Sequence, residues 1–67
     1  MIPENKLGQF QKLRPIRKMI VQQYYLVREK ERKSHHHIVK KVAIDLGYSI
    51  DTNGRSSYVS TVIREFI

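Results

Sequence analysis

Ser57, Ser60, Thr61 and Arg64 recur at the three- and four-residue intervals that put side chains on one face of a helix. Short hydroxyls let a helix backbone come close to a partner and can bond phosphate oxygens or base edges. An arginine fork can pair bidentately with guanine. These four residues are therefore candidate base contacts, and Arg55 in the preceding connection is a candidate phosphate clamp. A second set lies upstream: Lys12, Arg14, Arg17 and Lys18 form a run of cations with no acid among them. Lys40 and Lys41 add two more. All six suit the backbone of a polyanion, where charge matters and base identity does not.

Other constellations carry less. His35, His36 and His37 invite a metal reading, but consecutive helical residues point about 100° apart and do not converge on one ion. The chain has no Cys and no further His to complete a site, so no metal and no cofactor are expected. The three imidazoles read as exposed polar residues, with a phosphate contact as an added option. With no glycine-rich phosphate loop and no carboxylate pair at useful spacing, an enzyme is not expected either.

Positioning such residues requires helices. Apolar residues at 38, 39, 42, 43 and 46 form one helical stripe; those at 58, 59, 62, 63, 66 and 67 form another. Ser34 is placed to cap the first of these helices, and Ser56 or Ser57 the second. Gly47 stands where a helix end wants a left-handed residue. Between them, Asn53-Gly54 is a turn signal. It fits an extended loop, or a short β-hairpin made by residues 48–51 and 55–59, and the stripe at 58–67 favours helix. Upstream, Pro15 suits a first helical turn. Ile16, Met19, Ile20, Tyr24 and Val27 then share a face that Val21, Tyr25 and Leu26 widen. Arg28 to Lys33 reads as a solvated helix end. Residues 1–11, with Pro3 and Gly8 and little periodicity, read as a flexible basic arm ahead of a domain over 12–67. The expectation is an all-α fold of three helices.

Ala43 and Gly47, four apart, are similar to the first helix and turn of a helix-turn-helix unit, where the small Ala allows close packing. Val59-Ser60 and the closing run Ile63-Arg64-Glu65-Phe66 resemble the second helix of bacterial repressor domains, including the arginine repressor family. The resemblance covers residues 36–67 and has an enlarged turn, because Gly47 and Val59 stand twelve apart. It implies a double-stranded DNA partner and leaves a homodimer open, with half-sites about one helical turn apart.

Length and charge agree with that. Sixty-seven residues make one domain at most. Chains of this size bury only about 60% of their unfolded surface, so packing or a partner must supply the stability that no disulfide can. With 40% hydrophobic and 28% charged residues, the chain is ordinary for a folded domain. Its net charge of +7 points to a polyanion. Residues 1–33 carry nine of the thirteen Lys/Arg and three of the six acids, so the basic mass lies upstream of the reading helix. No apolar run approaches a membrane span or a secretory leader, so no membrane partner is expected, and the compartment is read as cytoplasm or nucleus. Two other partners fit the same charge: an acidic protein, bound through the surplus apolar surface of the first long helix, or RNA.

Overall fold

The computed structural model describes residues 2–67. Four α-helices follow one another: α1 (Leu7–Gln11), α2 (Pro15–Glu31), α3 (His35–Leu46) and α4 (Ser57–Phe66), with a 3₁₀ turn at Glu4–Lys6 leading into α1. There is no strand among the described residues, which removes the hairpin alternative around Asn53-Gly54.

The helix ends lie where local chemistry puts them. Pro15 occupies the first turn of α2. The α2 C-terminus closes on Arg32 in the left-handed region (φ 51), its N–H donating to the Arg28 carbonyl at 3.0 Å. Ser34 then caps α3, its Oγ accepting from His37 N–H at 3.4 Å. At the other end Gly47 takes φ 81, Tyr48 N–H donates to Ala43 O and Gly47 N–H to Ile44 O. This paired closure is a Schellman motif, and it needs a residue that tolerates positive φ. Of the two serines before α4, Ser56 is the cap: its Oγ accepts from Val59 N–H at 3.3 Å, and the residue is buried.

The core is the meeting of three stripes: Ile20, Val21, Tyr24, Tyr25 and Val27 from α2, Ile38, Val39, Val42 and Ala43 from α3, and Val59, Val62, Ile63 and Phe66 from α4. The stripes expected on α3 and α4 are buried almost as read, although Tyr58 and Ile67 at the margin of α4 stay exposed. On α2 the expected face is rotated. Ile16 and Met19 are each 55% exposed and Leu26 is 52% exposed, while Val21 and Tyr25 are buried. Tyr25 is drawn in because Phe66 meets its ring edge-on at 6.3 Å, a contact between distant parts of the chain.

The N-terminal reading needs correction. Residues 4–11 are helical, with Lys6 and Phe10 half-buried, so the segment is not an irregular arm, and the fold has four helices in place of three. Phe10 meets Phe66 edge-on at 6.4 Å. Lys6 Nζ donates to the carbonyls of Phe66 and Ile67 at 3.2 and 3.3 Å, serving the orphan acceptors at the end of α4. Ile2, Phe10 and Leu13 pack against the core. Three apolar residues, with Ile2 eight positions before Phe10, make too weak a periodic signal; a partner surface far along the chain orders them. The arm as read also includes Met1, which lies outside the described residues.

Candidate functional site

In α4 the buried residues Val59, Val62, Ile63 and Phe66 fix which way the helix faces. At 100° per residue the opposite arc runs Ser60, Arg64, Ser57, Thr61 and then Glu65 and Tyr58 at its far margin. Ser57, Thr61 and Arg64 are exposed and Ser60 is half-buried, so all four expected base-contact residues lie on the solvent side of one helix. Ser56 sets the start of that helix.

The two edges of this face differ. Along one edge α4 and the preceding loop approach the first turns of α3. They form an open groove of about 410 Å³ lined by His35, His36, Val39, Arg55, Ser60, Arg64 and Ile67. The loop is held by its own hydrogen bonds. Asp51 accepts from Asn53 N–H at 2.9 Å and from Arg55 N–H at 3.0 Å through one carboxylate oxygen, and Asp51 N–H donates back to Arg55 O at 2.8 Å. The Arg55 amide bond, chiefly, holds the Asp51 carboxyl below its ordinary range, with the Asn53 amide and the charges of Arg55 and His36 acting the same way and slight burial opposing. The residue before α4 that carries a cation is therefore set by a closed turn. Lys40 joins this edge from α3: its aliphatic stem lies against Gly54, which takes φ 74.

Along the other edge Arg17 of α2 pairs with Glu65 at 2.8 Å. That hydrogen bond and charge raise the Arg17 guanidinium pKa above its ordinary value. Ser57 borders a separate recess with Arg55, Tyr48 and Tyr58, whose two rings are 5.3 Å apart.

Of the residues expected to touch phosphate, Arg55 and Lys40 lie beside the α4 face, and Arg17 is committed to Glu65. Lys41 turns away, facing Asp45 at 3.9 Å beside a recess shared with Gln23 and Leu26 of α2. Lys12 and Arg14 are exposed in the α1–α2 connection, and Lys18 sits over the Phe10 ring at 6.0 Å. The upstream cluster is thus a second positive area, outside the groove.

The histidines separate into three roles. His35 Nδ1 shares a 2.9 Å hydrogen bond with the Tyr24 hydroxyl, and burial chiefly pushes the Tyr24 pKa up. His37 Nε2 lies 3.1 Å from Glu31, tying the turn between α2 and α3. His36 remains on the groove. No group of His, Cys, Asp and Glu suited to a metal occurs among the described residues. His35 and His36 border the groove, whereas the residue types alone nominate all three histidines without distinction. Three polar residues at a helix start give no direction, and only the fold of loop 47–56 back onto α3 brings Arg55 to them.

Compared with protein-family models, curated proteins and solved structures, the chain matches none. No helix among the described residues is long and apolar enough to cross a membrane.

Proposed function

We propose that this chain is a small DNA-binding protein, of the kind that regulates transcription in phage, plasmid or bacterial settings. In this reading α3 and α4 form a helix-turn-helix with an enlarged turn, and α4 enters the major groove. One observation carries it. The solvent face of α4 holds Ser57, Ser60, Thr61 and Arg64 without a bulky apolar residue among them, and Arg55 and Lys40 flank it from the loop and from α3. A face of short polar side chains between cations suits a duplex, where backbone contacts position the helix and base edges are read close by. The net charge of +7 supports the same partner. The protein is then not an enzyme, and works in the cytoplasm on the nucleoid, or in a nucleus.

A second reading, a protein-interaction module, has its own support: Ile16, Met19 and Leu26 leave apolar surface exposed on α2. Fluorescence anisotropy with duplex DNA, the matching RNA duplex and an acidic protein, each at several salt concentrations, separates the readings. The DNA reading requires preference for the DNA duplex and affinity that falls steeply with salt. Absence of duplex binding at low salt would end it. Tight, weakly salt-dependent binding to the acidic protein would favour the second reading.

A further inference from the structure

Arg64 and Arg55 are the two arginines of the groove, and neither has an ion-pair partner among the described residues. Most other cations nearby are engaged: Arg17 with Glu65, Lys41 with Asp45, Lys6 with the carbonyls at the end of α4, and Lys18 with the Phe10 ring. The two guanidiniums come from different elements and border one recess together with His36 of α3 and the Ser60 hydroxyl. No Asp or Glu side chain lines that recess, whose remaining borders are His35, Val39 and Ile67. The Asp51 carboxylate, which accepts from the Arg55 and Asn53 amides through one oxygen, also feels the charges of Arg55 and His36, so an incoming anion competes with it for those two cations.

From this geometry we infer that the groove between α3 and α4 is a seat for one phosphate of the nucleic-acid backbone, and that Arg64 binds that phosphate and not a base. The inference rests on the DNA reading and changes one residue of it. Reading a guanine edge takes a single fork projecting outward from the helix, in the plane of the base. Arg64 instead borders a recess where a second fork, an imidazole and a hydroxyl approach from other sides. Donors arriving from several directions match a tetrahedral anion with oxygens on every side. Buried Val39 and exposed Ile67 give the recess an apolar side. With Arg64 held at the backbone, base contact falls to Ser57 and Thr61 at the middle of the outward face. Small hydroxyls there make sequence preference modest and affinity largely electrostatic.

The test uses the whole chain. Inorganic phosphate is titrated while the side-chain N–H signals of the arginines and the imidazole signals of the histidines are followed by NMR. In parallel, wild type, Arg55→Gln, Arg64→Gln and Thr61→Val are titrated against a panel of duplexes of different sequence at several salt concentrations. The seat predicts that Arg55, Arg64 and His36 signals move together along one saturating curve, ahead of Arg14 outside the groove. It also predicts that Arg64→Gln weakens every duplex by the same factor and lowers the slope of log affinity against log salt by about 1. Thr61→Val should change the ranking of duplexes and leave the slope as it was. Phosphate shifts spread equally over Arg14 and the groove would overturn the seat. So would an Arg64→Gln variant that reranks the duplexes at unchanged slope, which is the behaviour of a base reader. If phosphate moves the three groove signals together and no duplex binds at low salt, the groove is an anion site, but its assignment to a duplex backbone and the DNA reading both fall.

Discussion

The packing of α1 on the end of α4 can be tested by replacing Phe10 with Ala. Phe10 is half-buried, and its ring meets Phe66 edge-on at 6.4 Å and lies under Lys18 Nζ at 6.0 Å. Fully burying a Phe side chain is worth about 1.5–3 kcal/mol, so partial burial contributes about 1 kcal/mol. The edge-on ring pair adds about 0.5–1.5 kcal/mol. Together the substitution should cost about 2 kcal/mol. A chain of this length has a total stability of about 3–10 kcal/mol at ordinary values per residue, so the variant stays folded. For a domain of this size each kcal/mol moves the melting temperature by about 4–8 °C, and the expected drop is about 8–16 °C. Thermal unfolding followed by circular dichroism measures it. Amide exchange adds location: residues 6–11 should lose protection first, while the middle of α3 keeps its own. Phe10→Leu should recover part of the loss, because apolar area is restored without the ring contact. A melting temperature within about 2 °C of wild type would refute the reasoning, since a free arm contributes nothing to the folded state.

Two further outcomes follow from the site. Asp51 is held below its ordinary carboxylate range chiefly by the Arg55 amide, so the turn is stabilised above the unfolded pKa of about 3.9 and loses that stabilisation as pH falls through the lower folded value. The Arg55 N–H chemical shift should therefore titrate with a midpoint below about 3.9, and in Asp51→Asn the step should vanish; a wild-type midpoint at or above that value would contradict the turn geometry. Ser56→Ala removes a buried cap that accepts from Val59 N–H, and should cost about 1–2 kcal/mol in denaturant unfolding with an unchanged m-value; a loss below about 0.3 kcal/mol would show that α4 starts without it.

Much of the helical core was legible in the chain itself. The α3 and α4 stripes, the cap at Ser34, a serine cap at Ser56 or Ser57 and the closure at Gly47 are local: each depends on residues within about one helical turn, and side-chain period and backbone preference decide them. The chain also carries its excess of positive charge whatever its fold. Tertiary structure alone decided three things. Residues 4–11 became helix because Phe66 and the end of α4 offer Phe10 and Lys6 a surface, and those partners lie some sixty positions away. The buried face of α2 turned toward Val21 and Tyr25, leaving Ile16 and Met19 outside, because two helices and α1 compete for one cylinder and the apolar surplus of α2 fits several rotations. The groove itself arose from the path of loop 47–56, whose hydrogen bonds at Asp51 aim Arg55 toward His36 and Arg64. Residue types could nominate cations for a polyanion, but which of them stand together, and which are spent on Glu65, Asp45 or a helix end, is set by the directions in which distant segments meet.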